Sequence, residues 1–294
     1  MKLGLSLAGG GIKGFAHIGA IKALEEAGIY FDYISGTSSG SIVAMLYASG
    51  YSTDEIYDIF RANVKKIRYV DFENIRRIVK RFFAGEGLRI DGLNSGGVIK
   101  KLVDEYCLKK GITNIKQIRM PIVIPAVNLC TEELYVFSNN IIQNRGRDIK
   151  YVNSVSVGTA VQASCSYPGI FSPCRYGDNL LVDGGIAENL PWRETKKAGA
   201  DKVLSIVFVD KDKKRCDNIY DVLDKSFSIL CSELANYEWD GTDYLLKLYM
   251  PKVGLLAKGR QEELYELGYK QTKDKISDIV SCLRNYIITN YRKN

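Results

Sequence analysis

The sequence predicts an α/β protein built on a layered sheet, and three observations carry that reading. Short apolar runs alternate with longer stretches of helical character, the order expected when strands lie side by side under covering helices. Two strand-to-helix junctions, at Gly9–Gly14 and Gly36–Gly40, are rich in glycine. Of the 294 residues 46% are hydrophobic, ample for a well-buried core, and 26% are charged, which does not read as a disordered chain. Length alone admits one or two domains. No linker, repeat or low-complexity segment stands out, so the expectation is a single domain over residues 1–294 with a helical insertion, a candidate lid, at about 51–118.

The elements follow in order. Lys2–Leu7 is short and apolar, a first strand, and Gly9-Gly10-Gly11-Ile12-Lys13-Gly14 is a tight loop after it. Phe15–Ala27 reads as a helix with Phe15, Ile18, Ile21 and Leu24 on one side and Gly28 closing it. Tyr33–Ser35 is a second strand. Ser41–Ser49, rich in Ala, Val, Met and Leu, is a buried helix. Residues 51–118 are helical and charged, broken at Ala84-Gly85-Glu86-Gly87 and around Ser95-Gly96-Gly97. Met120–Val127 and Glu133–Phe137 are strands, and Ala160–Pro173 is a small-residue stretch with two prolines. Leu180-Leu181-Val182 runs into a turn at Asp183-Gly184-Gly185. Lys202–Val209 and Tyr244–Met250 are strands, and Glu262–Tyr291 is helical.

Composition narrows the function classes. The seven cysteines, at 107, 130, 165, 174, 216, 231 and 282, include no C-x-x-C pair, so zinc and redox motifs have no support, and the expectation is buried free thiols in a reducing compartment. Leu3–Ala8 after Met1-Lys2 imitates a secretory signal, but the apolar run is too short and breaks into glycines, so no such signal is expected. No run of 18 apolar residues exists. Net charge is +7, and most of it sits between Arg61 and Phe82, where eight cations (Arg61, Lys65, Lys66, Arg68, Arg76, Arg77, Lys80, Arg81) face only Asp71 and Glu73. Such a patch suits an anionic partner or, equally, a solvated helix face. Within it Ile75, Ile78, Val79, Phe82 and Phe83 form one apolar stripe flanked by Arg76, Arg77, Lys80 and Arg81. This is the pattern of an interfacial helix, with Gly85 and Gly87 as a hinge, and equally of a helix packed on the core. No aromatic stacking platform accompanies the charges, so nucleic acid is not expected.

Four features carry chemistry. Gly36-Thr37-Ser38-Ser39-Gly40 is a G-x-S-x-G between a short strand and an apolar helix, the context in which a serine is forced into strained angles and exposed at a helix N-terminus. Its bland reading is an ordinary small-residue turn. The Gly9–Gly14 loop exposes successive backbone N–H groups, an anion cradle. It is also a G-x-G-x-x-G, with Asp32 at about the distance of a ribose-binding acid, so a nucleotide-binding oxidoreductase is the rival reading. The chain has one histidine, His17, placed inside the first helix where a packed core side chain is expected rather than a base. If Ser38 is a nucleophile, a carboxylate must serve it, and Leu181-Val182-Asp183-Gly184-Gly185 puts one at a strand end; its bland reading is an Asp-Gly turn.

Together the glycine loop, the Gly36–Gly40 elbow and the Asp183-Gly184-Gly185 turn resemble, in order, the hallmark blocks of patatin-like phospholipases. The segments Ala163–Pro173 and Gly14–Gly19 are similar to that family too, over about residues 2–210. The resemblance implies a three-layer α/β/α sandwich with a central, mostly parallel sheet. It implies a Ser38–Asp183 dyad without histidine, hydrolysing lipid esters through an acyl-Ser38 intermediate and needing no metal or other cofactor. It assigns the oxyanion hole to Gly9, Gly10, Gly11 and Ile12, and supporting roles to Lys13, Gly14, Gly36, Gly40, Gly184 and Gly185. Lys13 stands where arginine is usual, and keeps the charge without the bidentate fork. The expected partner is a lipid ester, with peripheral contact to an anionic membrane. The expected location is the cytoplasm or the inner membrane face. A catalytically inactive lipid-binding scaffold is the other alternative.

Overall fold

The computed structural model describes residues 2–67, 76, 80, 92, 94–140, 142, 148–210, 222, 225–226, 229–230, 241–251, 253–254 and 259–291, with side chains of the last helix as far as 283. The expected cationic helix at 73–83 and its glycine hinge lie outside the described residues, apart from Arg76 and Lys80.

Strand β1 (Leu3–Leu7) is buried at every residue and lies between β2 (Tyr33–Gly36) and β8 (Lys202–Asp210), parallel to both. Beyond β8 runs β9 (Tyr244–Met250), again parallel. Beyond β2 come β3 (Ile122–Asn128), parallel, then β4 (Leu134–Ser138), antiparallel, and β5 (Ile149–Val152), parallel to β4. The order is β5-β4-β3-β2-β1-β8-β9. A hairpin of β6 (Cys174–Tyr176) and β7 (Asn179–Asp183) joins the sheet through β7, which pairs antiparallel with β3 at Ala126, Val127 and Asn128. β2 pairs with β3 only at Ile122 and Val123, and β4 occupies the other edge of β3. So β7 fills the place that β2 vacates as it leaves the sheet.

Side chains alternate across these strands, as the period of two requires. Leu3, Leu5, Leu7, Ile34, Ile122, Ile124, Leu204 and Ile206 enter one core, covered by α1 (Gly14–Glu26), α2 (Ser39–Ala48), α3 (Thr53–Asn63), α4 (Gly97–Lys109) and α5 (Val157–Ser164). Tyr33, Val123, Val136, Val203 and Val207 enter a second core on the opposite face, with Trp192 of α6 (Trp192–Lys197). Helices therefore flank a mostly parallel sheet on both faces, the α/β/α class expected. Burial on both faces also explains why β1 and β8 read as unbroken apolar runs.

Two later helices, α7 (Gln261–Lys273) and α8 (Ile276–Tyr291), replace the single one expected over 262–291, the break falling at Asp274–Lys275. α7 lies directly on α1. A Cβ on Gly19 would stand 2.1 Å from the Tyr265 carbonyl oxygen, and one on Gly268 would stand 2.1 Å from that of Ala16, so the two backbones touch through reciprocal glycines. α7 also reaches the edge strand: the Gln271 amide accepts from Tyr249 N at 2.8 Å and donates to Tyr249 O at 3.0 Å, standing in for a neighbouring strand. β5, β6 and α6 were not expected, and residues 157–164 of the small-residue region form a helix. α2 starts two residues earlier than its apolar pattern, because the turn before it ends abruptly. Of the five cysteines described, Cys107, Cys165 and Cys174 are buried as expected, but Cys130 and Cys282 are exposed, on a hairpin turn and an outer helix.

Candidate active site

The elbow follows from its glycines. β2 ends at Gly36, α2 begins at Ser39, and Ser38 between them takes φ 52°, ψ −124°, a left-handed conformation costly for a residue with a Cβ. A Cβ on Gly36 would fall 2.3 Å from the Gly40 carbonyl oxygen, and one on Gly40 would fall 2.5 Å from that of Leu7, so the turn closes only with both glycines. Neighbours hold the strained residue. Thr37 N donates to Leu7 O (3.1 Å), Thr37 Oγ1 donates to Glu188 O (3.0 Å), and Ser38 N donates to Ser164 Oγ (3.1 Å).

The glycine loop lies beside it. A Cβ on Gly9 would stand 3.1 Å from Ser38 Cβ, and Gly11 and Ile12 line the same cavity as Ser38. Among the described residues the N–H groups of Gly10, Gly11 and Ile12 have no acceptor, as an oxyanion cradle requires. Gly9 is a correction: its N–H donates to Asn189 Oδ1 at 3.0 Å and is not open to an oxyanion. Gly10 sits against the Phe208 ring, where a Cβ would come within 2.5 Å, and Lys13 Nζ pairs with Asp210 Oδ1. Both partners come from the C-terminal end of β8. Lys13 therefore ties the loop to the sheet. Gly14 opens α1 against Ser39, where a Cβ would stand 3.1 Å from Ser39 Cβ.

Asp183 ends β7 opposite Ala126, at the gap left by β2, so an antiparallel strand brings it head-on to the elbow. The sequence puts Asp183 at a strand end, and the structure adds that this strand runs antiparallel to β3. A Cβ on Gly184 would stand 2.5 Å from Pro125 O, which keeps that turn tight on β3. The carboxyl is 2% exposed, and Oδ1 accepts from Gly185 N at 2.8 Å. Oδ2 makes no hydrogen bond among the described residues. Burial pushes its pKa up to about 6, against the Gly185 N–H and the neighbouring Ser38 hydroxyl, which both favour the ionised form. The buried Cys165 thiol is the other titratable neighbour, and burial together with the Asp183 carboxylate raises its pKa.

His17 is fully buried, with Nε2 2.8 Å from Ala8 O and its ring centroid 4.3 Å from that of Phe208. Desolvation lowers its pKa to about 4, partly opposed by the Ala8 carbonyl, so it is neutral at physiological pH. It is a packing residue under the glycine loop, as its helical position suggested. Asp32 answers the dinucleotide reading. It precedes β2, its Oδ2 accepts from Leu3 N at 2.8 Å, and it thus caps the end of the sheet opposite the glycine loop. A ribose bound at that loop could not reach it.

From Ser38 an apolar cavity extends between α1, α2 and the helices after them, walled by Phe15, Ile42, Phe60, Ile67, Ile99 and Phe171 among others. Ser38, Asp183 and the glycine loop, named from the sequence, lie together here, whereas Asn189, Ser164, Phe208 and Asp210 were given no role from the sequence. For the last two the available signal was their place at the C-terminal end of a buried parallel strand. Among the described residues no group of His, Cys, Asp and Glu could hold a metal ion, and no helix is long and apolar enough to cross a membrane.

A family model described as "Patatin-like phospholipase" matches residues 5–196. An uncharacterized NTE family protein of Mycobacterium bovis is 32% identical over 195 residues, 64% of this chain and 27% of that protein. "Lysophospholipase NTE1" of Meyerozyma guilliermondii is 28% identical over 221 residues, 75% of this chain and 14% of that protein. The chain thus spans about a quarter or less of the length of these curated relatives. The crystal structure of VipD from Legionella pneumophila superposes with a TM-score of 0.53 at 17% identity, covering 94% of this chain and 67% of VipD, a likeness of fold.

Proposed function

The chain belongs to the patatin-like phospholipase family, and from that premise we propose that it is a lipid acyl hydrolase working through a Ser38–Asp183 dyad. The observation that carries the reading is a strained, cavity-facing serine whose hydroxyl neighbours a buried carboxylate. In the first step Ser38 Oγ attacks the ester carbonyl carbon and passes its proton to Asp183. The carbonyl electron pair moves onto oxygen, towards the open N–H groups of Gly10, Gly11 and Ile12 and the N-terminus of α2. Collapse of that intermediate breaks the ester bond, and the leaving alkoxide takes the proton back. Asp183 then accepts a proton from water attacking acyl-Ser38 and returns it to Ser38 Oγ, freeing the acid. A pKa near 6 suits this shuttle at neutral pH, because the carboxylate is mostly ionised yet far more basic than an exposed aspartate.

The cavity supplies the substrate class, since its apolar wall fits an acyl chain. Peripheral contact with an anionic membrane through the cations of 61–82, and a single domain whose insertion at 51–118 borders the site, belong to the same reading. The test is a panel of p-nitrophenyl esters and phospholipids with active-site labelling by a fluorophosphonate. Wild type is expected to turn over esters and to be labelled at Ser38. Ser38→Ala and Asp183→Asn should each lose nearly all turnover while staying folded, and His17→Gln should keep much of it. A folded His17→Gln protein as inactive as Ser38→Ala overturns the dyad; lipid binding without turnover or labelling leaves a scaffold.

A further inference from the structure

Three parts of the site, contributed by distant stretches of chain, meet at one short turn after β7. Asp183 opens the turn and is held by Gly185 N. The carbonyl of Glu188 accepts from Thr37 Oγ1, one residue before the nucleophile. The side chain of Asn189 accepts from Gly9 N, at the start of the oxyanion loop. Asn189 and the base lie around the same glycine: a Cβ on Gly185 would stand 3.1 Å from Asp183 Oδ1 and 3.3 Å from Asn189 Oδ1. The donor at Gly9 fixes which end of the amide faces the loop, because only the oxygen can accept.

The loop needs such a hold. Three successive glycines have little conformational preference of their own, and an oxyanion hole works only when its donors are aimed before the charge develops. On the far side Phe208 and Asp210 hold Gly10 and Lys13, while among the described residues Gly9 N–H is held by its donation to Asn189 Oδ1. We propose that Asn189 is a positioning residue which sets the oxyanion loop relative to Ser38 and the Asp183 turn. It touches no reacting atom. The proposal rests on the Ser38–Asp183 reading and adds to it how the hole is registered on the dyad.

The experiment compares wild type, Asn189→Leu and Asn189→Asp on one short-chain p-nitrophenyl ester over pH 5–9, with thermal melts of each. Leucine has similar size and cannot accept the Gly9 N–H. It should lower kcat roughly 10- to 100-fold with KM within about twofold, because the acyl cavity is untouched while the donors lose their aim. Aspartate keeps an acceptor for Gly9 but puts a second carboxylate beside Asp183, so kcat at high pH should recover part of the loss. The acid limb of kcat/KM should also move to higher pH, since like charge disfavours ionisation of Asp183. Ser38 and Cys165, the other groups beside that carboxyl, are unchanged in both variants. A merely structural role would lower the melting temperature and the active fraction of both variants, with no recovery of kcat by aspartate. Unchanged kcat in a folded Asn189→Leu protein, or an Asn189→Asp protein whose kcat at high pH recovers nothing over Asn189→Leu, overturns the proposal while leaving the dyad standing. A wild-type protein that neither turns over ester nor is labelled at Ser38 overturns both.

Discussion

Ser38 is held in a backbone conformation suited to glycine, at φ 52° and ψ −124°. Strain of this kind costs on the order of 1–3 kcal/mol, and glycine's greater freedom when unfolded returns only about 0.5–1 kcal/mol of the gain from relieving it. Ser38→Gly should therefore abolish turnover and raise the thermal midpoint by a few degrees, read by calorimetry; an unchanged or lowered midpoint would show that the neighbours' hydrogen bonds dominate. Asp183 and His17 carry opposite pH signatures. The folded-state pKa of Asp183 is about 6 against an ordinary 3.8, so the folded protein binds that proton more tightly than the unfolded chain. Stability falls as pH rises from 3.8 to 6, and above 6 the whole cost is present, roughly 3 kcal/mol at most. For His17 the folded value is about 4 against 6.5, so stability is lost as pH falls through that interval. The two oppose each other across their shared window. Asp183→Asn removes the first alone: it should melt above wild type at pH 8 and lose that margin towards pH 4. The same carboxyl should make wild-type kcat/KM fall about tenfold per pH unit below roughly pH 6.

The contact of α1 with α7 makes an element-scale prediction. Gly268→Ala places a carbon where the Ala16 carbonyl stands, backbone against backbone, so the helices must separate. A cost of about 1–3 kcal/mol is expected, and because α1 opens at Gly14 straight from the glycine loop beside Ser38, kcat should fall with it. Gly97→Ala, whose nearest foreign atom is the Ser95 hydroxyl oxygen at 3.3 Å, is the control and should change both little. The elements legible in the sequence were those with a local signature. The unbroken apolar runs of β1 and β8 and the glycine spacing around Ser38 needed no partner to be recognised. β5 was not legible because its exposed Lys150 and half-buried neighbours show neither a buried run nor a clean alternation. The β6–β7 hairpin is short, and the place of β7 beside β3 depends on where β2 leaves the sheet. Asp183 could thus be named from its Asp-Gly-Gly context, but the reversed strand that delivers it could not, nor could the Asn189–Gly9 contact between such distant residues.

At the scale of the whole molecule, one cavity is lined from two parts of the chain. Phe60, Ile67, Ile99 and Leu102 come from residues 51–118, whereas Ser38 comes from the sheet layer. Ile99→Trp or Leu102→Trp should therefore shorten the acyl chains accepted. The kcat/KM ratio of butyrate to palmitate p-nitrophenyl esters should rise at least about tenfold, since each buried methylene lost is worth about 1–3 kcal/mol, while labelling of Ser38 by a small fluorophosphonate should be unaffected. An unchanged ratio would place the acyl chain elsewhere. The late delivery of Asp183 has a consequence for the cell that makes this protein. Ser38 and Asp183 are separated by nearly half of the chain, and β7 lies in a gap framed by β2 and β3. During synthesis Ser38 leaves the ribosome long before Asp183. If the proposed dyad operates, the nascent chain carries a nucleophile without its base until β7 has been made and docked.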